Sequence, residues 1–326
     1  MNGSEVTRTN RVGHYILGLG GIVLVIFGTV GNILSIVVLK RTAPRGSKMS
    51  STILMLCCLA IIDTITLDHG LLRLVIHYNA LLAHPGTSGF DIRKHLGATV
   101  SAFTCPISAF LAIFSLHAGS LLIVILTLER FCCVTFPLKA STVATRRNSA
   151  LGMLSVVIAT TFIDGHILFG VRYMKRPPLL GYHCQTVSDS YKYFYINVFV
   201  WMDLMFGALC PFLIITSMNA AIIRRLISAS SQRQTISKSE TSSKAENNTT
   251  KTLLAISIVF IVTTMPDKAL RVYSDRNNGA FYGGFVEVLG PLLRLLEYTN
   301  SAINFVLYML CGSRFRREFA KMFEQK

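Results

Sequence analysis

Charge is what this chain has least of. Asp, Glu, Lys and Arg make up 15% of its 326 residues, against roughly 25% in a soluble globular domain, so most of its surface is built to face something other than water. There is one tryptophan, Trp201. No cysteine or histidine spacing suits a metal ion. Of the eight cysteines, Cys57, Cys58, Cys132, Cys133 and Cys210 sit in apolar runs, where a thiol reads as a small buried hydrophobe. No Ser-His-Asp order, phosphate loop or pair of loop carboxylates suits catalysis, so the chain reads as no enzyme. Residues 1–13 are polar and lack an apolar core and cleavage site, so no removable signal peptide is expected. Paired broken spans of the transporter kind are absent too.

What is there is hydrophobic: 52% of the residues, with a mean hydropathy of +0.52. Seven apolar stretches, near 14–39, 50–78, 100–134, 149–171, 194–223, 251–273 and 284–310, are each long enough to cross a hydrocarbon core as a helix, which takes about 20 residues. The expected fold is an all-α membrane protein, a seven-helix bundle spanning residues 14–310. An odd number of spans puts the termini on opposite sides. One set of loops, together with the C-terminal tail, holds eighteen Lys and Arg, and the other set, with the N-terminal tail, holds nine. Cytoplasmic loops collect basic residues, so the first set is inside and residues 1–13 form an extracellular N-terminus. That bias accounts for most of the net charge of +16, and no nucleic-acid partner is needed.

Asn2-Gly3-Ser4 is then an exterior glycosylation sequon at Asn2. Residues 228–250 are too poor in apolar side chains to fold alone and read as a flexible third cytoplasmic loop. Residues 311–326 put Phe315, Phe319, Met322 and Phe323 on one helical face and bases on the other, a pattern for a short amphipathic helix on membrane lipid of the inner leaflet. Cys311 beside it is a candidate for palmitoylation, a structural thiol being the plainer reading.

The stretch from Cys105 to Leu138 organises the rest. Its apolar run meets Glu129-Arg130-Phe131 where the helix leaves the membrane, and ends in Phe136-Pro137-Leu138. Adjacent opposite charges there are costly unless paired or turned inward, which marks a switch. A simple basic anchor would have no use for the glutamate.

At this point the chain resembles a divergent rhodopsin-like G-protein-coupled receptor of the peptide-receptor type over nearly its whole length. Gly31-Asn32, Leu59-Ala60-Ile61-Ile62-Asp63, Cys105, Glu129-Arg130-Phe131 with Val134, Pro137 and Leu138, then Pro211, Pro266 and Asn304-Phe305-Val306-Leu307-Tyr308 stand in the family's order. Phe305 replaces the seventh-span proline, and Thr263-Thr264-Met265-Pro266 lacks the sixth-span tryptophan. The resemblance implies a plasma-membrane protein that passes an extracellular signal to a heterotrimeric G protein, with arrestin as a further partner. It implies that Arg130 is restrained by Glu129 and by Glu246, that Val134, Pro137, Leu138 and Tyr308 belong to the coupling face, and that Cys105 and Cys184 form a disulfide. Asp63 with Asn32, Asn300 and Asn304 would line a water pocket whose candidate occupant is a sodium ion. Gly119 stands where a serine ligand is expected.

The outer half of the bundle carries Asp68, Arg73, Asp203, Asp267, Lys268, Arg271, Glu287, Arg294 and Glu297. Asp267 and Arg271 at i,i+4, and Arg294 and Glu297 at i,i+3, are spaced to pair within their own helices. The remainder implies a wet, polar ligand crevice. Ala112 where amine receptors carry an aspartate, and Tyr298 where opsins carry the retinal lysine, disfavour those ligand classes, and mixed charge favours a neuropeptide or other small peptide. Two alternatives are a chemosensory receptor of the same fold for an environmental small molecule and, more remotely, a seven-span transporter or channel. His117 and His166 lie within spans and read as satisfied core residues.

The tail holds no Ser or Thr beyond Ser313, so phosphorylation that recruits arrestin is expected in the third cytoplasmic loop. Alanine at Ser228, Ser230, Ser231, Thr235, Ser237, Ser239 and Thr241 to Ser243 together should slow desensitisation. Normal desensitisation of that variant, timed in cells, would count against it.

Overall fold

The computed structural model describes residues 3–43, 50–76, 104–175, 182–233, 240–276 and 285–324. Asn2 falls outside them, as do the side chains of Cys184, Glu246 and Glu287. Helix α1 runs Gly3–Thr42. Helix α2, Ser51–Ile65, passes into a π-helical stretch, Thr66–Leu72, and α3 covers Thr104–Thr135. Helix α4, Arg146–Asp164, is prolonged by Ile167–Gly170. Helix α5 starts at Asp189–Phe194 and ends as Cys210–Arg233, with π-helical segments at Tyr195–Phe199 and Met205–Leu209. Helix α6 is Glu240–Arg276, and α7 is Phe285–Ala302 and Asn304–Cys311, interrupted at Ile303. The last helix, α8, is Ser313–Glu324.

Among the described residues, five stretches are long and apolar enough alone to cross a membrane: Tyr15–Thr42, Ser51–Ile76, Thr104–Thr135, Arg146–Gly170 and Asp189–Arg225. Helices α6 and α7 complete the seven. Asp267, Lys268 and Arg271 of α6 and Arg294 and Glu297 of α7 face other helices. Two polar flanks are helical where described, one of them within the segment expected to be flexible. Residues 3–13 extend α1 outward, and 228–233 and 240–250 extend α5 and α6 into the third cytoplasmic loop. Adding a residue to an existing helix needs no new nucleus, so even Ser- and Thr-rich flanks are carried along.

Helix α3 lies in the middle, packing on α2, α4, α5 and α6. The inner half of the core interleaves Leu122, Ile123 and Leu126 of α3 with Met55 and Leu59 of α2, Ile215 of α5, Ile256 and Phe260 of α6 and Tyr308 of α7. Outward-facing apolar side chains such as Phe162, Ile158 and Val23 are exposed, as a lipid-facing surface requires. Outside the bundle, β1 (Val171–Lys175) and β2 (Tyr182–Thr186) form an antiparallel hairpin with Tyr173 opposite Cys184. Cys105, at the outer start of α3, is disulfide-bonded.

The seventh helix breaks at Ile303 without a proline. Phe305, the residue in its place, packs edge-on against Phe315 (5.8 Å) and Phe319 (5.5 Å) of α8. Arg316 donates to the carbonyls of Met309 (2.9 Å) and Leu310 (2.7 Å), which satisfies the end of α7. On the polar face of α8, Lys321 donates to Glu318 at 2.8 Å and holds that carboxyl below its ordinary range.

Helices α1 and α7 meet closely at Gly28, where a Cβ would stand 2.9 Å from the Cα of Ala302. Gly28→Val should cost about 1–3 kcal/mol of stability by overpacking. Gly290, with nothing within 4 Å of its Cβ position, should accept alanine without loss. Thermal melting of the two purified variants checks the contrast.

Candidate functional site

Three polar assemblies are threaded through the apolar bundle. At the inner rim, Glu129 is buried and accepts from Ser51 (2.7 Å) and Thr52 (2.6 Å). Those hydroxyls belong to the first turn of α2, whose N-terminal dipole favours an anion. Arg130 lies 3.3 Å from Glu129 and also donates to the Thr52 hydroxyl, while its Nε is buried with no partner. The arginine is therefore restrained by α2 as well as by its neighbour. Val134 is half-buried, Pro137 opens a 3-10 turn and Leu138 is almost fully exposed. Tyr308 is buried in the core, its ring 5.3 Å from Phe315, so it faces α8 and not the coupling surface.

In the middle, Asn304 of α7 donates to Asp63 of α2 at 2.7 Å, and Asn32 of α1 donates to the Ser301 carbonyl at 3.1 Å. Both asparagines keep a buried amide oxygen without a partner. A cavity of about 20 Å³ adjoins Asp63, lined by Ser115, Gly119, Asn300 and Ser301. That is room for one water molecule. A carboxylate with neighbouring oxygens that lack donors fits water or a small cation, and Gly119 removes one oxygen that such a cation would use.

In the outer half the charges form a chain across five helices. Asp164 of α4 sits 2.8 Å from His117 Nδ1 of α3, whose Nε2 is 3.0 Å from Asp203 of α5. Asp203 is 2.5 Å from Lys268 of α6, which reaches Glu297 of α7 at 3.6 Å. Glu297 accepts from Arg271 (2.8 Å), Arg271 from its Nε donates to Asp267 (2.7 Å), and Asp267 faces Arg294 at 3.3 Å. Gly207, in the second π-helical segment of α5, makes room for this. A Cβ there would be 2.9 Å from the His117 ring.

Several expectations change here. Asp203, Asp267, Lys268 and Glu297 are buried at 7% exposure or less. They tie helices together, and Lys268 and Glu297 line only the small cavity beside Asp63, because unpaired charge in a bilayer costs more than an interhelical pair. Arg294 pairs across to Asp267 on α6 and not with Glu297 three residues on. Arg271 does pair with Asp267 one turn back. His117 is satisfied, but by two carboxylates and so as a link in the chain. Arg73 is exposed at the outer end of α2. Sequence reasoning missed Asp164, although a lone acid in an apolar span is the signal that picked out Asp63. It also missed Ser51 and Thr52, whose hydroxyls carry no such signal.

Residues 31–308 match the 7 transmembrane receptor (rhodopsin family). The chain belongs to that family. It is a multi-pass protein of the plasma membrane, a receptor by family and not an enzyme. Among curated relatives it is similar to the FMRFamide receptor of Drosophila melanogaster, at 26% identity over 98% of this chain. It is also similar to galanin receptor 2a of Danio rerio (25% identity, 96% of this chain and 79% of that one) and neurotensin receptor type 1 of Mus musculus (25%, 91% and 73%). The chain spans 56% of the length of the fly receptor.

Removing Lys268 from this receptor would take the central cation from between two buried carboxylates, leaving Asp203 with His117 and Glu297 with Arg271. Loss of one partner from a buried pair costs about 3–5 kcal/mol, so Lys268→Met should largely abolish folded receptor at the cell surface. Adding Glu297→Gln should restore part of it, since Asp203 keeps His117. Surface labelling of the single and double variants reads this, and a single variant as abundant as the parent would show that the chain of pairs holds nothing.

Proposed function

We propose that the chain is a receptor for an extracellular peptide, of the neuropeptide kind, that drives nucleotide exchange on a heterotrimeric G protein. The observation that carries this is Arg130 at the inner rim, held by Glu129 and Thr52 beside the exposed Leu138, at the opposite end of α3 from a polar outer half. The peptide class is supported by relatives named for FMRFamide, galanin and neurotensin, and those names weigh against an environmental small molecule. Order along the chain and the family match weigh against a transporter.

In this reading the ligand favours a state in which the inner ends of α5 and α6 move away from α3, by no more than its differential affinity for the two states. Arg130 then leaves Glu129, and Glu246, on the inner turns of α6, is its second restraint. Leu138 and Pro137 offer the G protein an apolar contact. The outer end of α3 is pinned by a bridge from Cys105 to Cys184, in keeping with the six other cysteines remaining thiols. A sodium ion would be held by Asp63 with Ser115 and Asn300, neutralising the carboxylate when bound. Arrestin would engage the third cytoplasmic loop, and α8 the inner leaflet, where Phe323 is left exposed.

Two variants test the coupling role. Arg130→Gln should abolish nucleotide exchange by the partner at normal surface expression. Ser51→Ala with Thr52→Val removes the α2 restraint and should raise basal exchange several-fold. A peptide-library screen in cells with a promiscuous G protein supplies the agonist. Full exchange by Arg130→Gln would end the proposal.

A further inference from the structure

The two ends of the outer ion chain are unlike. At the α4 end Asp164 and His117 are sealed, each with no exposed side-chain surface. At the α6–α7 end Arg271 and Arg294 keep 24% and 29% of their side chains exposed, while the acids behind them, Asp267 and Glu297, keep 2% and 1%. Hydrogen-bonding capacity is just as lopsided. Asp267 already meets the Nε groups of both arginines, and Glu297 takes Arg271 on one oxygen, while its other oxygen, 3.6 Å from Lys268, has no hydrogen-bond partner but is sealed from outside. Arg294 uses only its Nε, at 3.3 Å, so both its terminal nitrogens have no partner among the described residues.

A guanidinium with its outer edge open presents two parallel donors at the spacing of a carboxylate. We propose that Arg294, with Arg271 beside it, is the subsite for an anionic group of the ligand, a carboxylate in chemistry. It rests on the reading of the chain as a peptide receptor and names what that peptide must present. A cationic group would have to displace an arginine from a buried acid, whereas an anion adds to donors that are open. The carboxylate comes either from an acidic side chain or from a free C-terminus.

Four tetrapeptides separate these sources on the purified full-length protein in lipid nanodiscs, with no G protein present: Phe-Met-Glu-Phe-amide, Phe-Met-Gln-Phe with a free C-terminus, Phe-Met-Gln-Phe-amide and Phe-Met-Arg-Phe-amide. At least one anionic peptide should bind roughly 10- to 100-fold more tightly than the neutral amide, the range expected of a charged hydrogen-bonded pair. Which of the two does so identifies the source. Arg294→Gln should erase the preference, and Arg294→Lys, which keeps the charge but not the fork, should keep only part of it. The subsite is overturned if the neutral or the arginine peptide binds as tightly as both anionic ones, if the preference survives Arg294→Gln, or if none of the four binds at millimolar concentration. Because binding is read without signalling, loss of preference with intact nucleotide exchange rejects the subsite alone, and absent exchange with intact preference rejects the receptor reading alone.

Discussion

A charge inside a bilayer must find its counter-charge inside the protein. Desolvating an ion costs several kcal/mol even after relaxation, and hydrocarbon offers no water to repay it. Asp164, Asp203, Asp267 and Glu297 lie on four helices, and His117, Lys268, Arg271 and Arg294 answer them from three. Each acid is satisfied by a base on a neighbouring helix, so the rotation of α3, α4, α5, α6 and α7 about their own axes is set by charge as much as by packing. The π-helical segments of α5 flank Asp203 on both sides. A wide turn changes the face that a residue presents, and here it goes with a carboxylate turned inward between His117 and Lys268.

Such a network suits a receptor better than a rigid scaffold. Buried ion pairs add little net stability compared with apolar packing, but they are specific, and exchanging one partner for another moves a helix without opening the core. Helix α3 spans both ends of the mechanism, with His117 in the outer network and Glu129-Arg130 at the inner rim. Helix α6 supplies Lys268 and Arg271 on one side of the bundle and, further in, Phe260 against Leu122 and Ile256 in the core. In the proposed mechanism a ligand that alters the pairing of Arg271 would act on the same helix that moves at the inner face, with Pro266 inside it.

Much of this was legible in the sequence. Span number and orientation follow from length and loop charge, and Asp63, Arg130 and the outer charges stand out as ions in apolar surroundings. What was not legible is who meets whom. His117 pairs with residues 47 and 86 positions away, and Arg294 prefers another helix to the glutamate one turn ahead. Helical spacing foresees only the pair within α6. Asp164 was overlooked because its span otherwise reads as plain lipid-facing helix, and Phe162 beside it is indeed almost fully exposed. Ser51 and Thr52 acquire a role only from Glu129, 78 and 77 residues on.

The two departures from the family pattern make physical sense together with the network. Thr264 lines the same cavity as Lys268, Glu297 and Asp63. A large ring at 264 would compete for that space with the lysine, whose buried side chain must reach both Asp203 and Glu297. A small residue there and a buried cation one turn later are therefore one arrangement. The missing proline of α7 is compensated differently. The helix still breaks at Ile303, Asn304 still reaches Asp63, and Phe305 uses the freed position to lock α8 through Phe315 and Phe319. The joint between α7 and α8 thus rests on the packing of Phe305 as well as on the hydrogen bonds of Arg316.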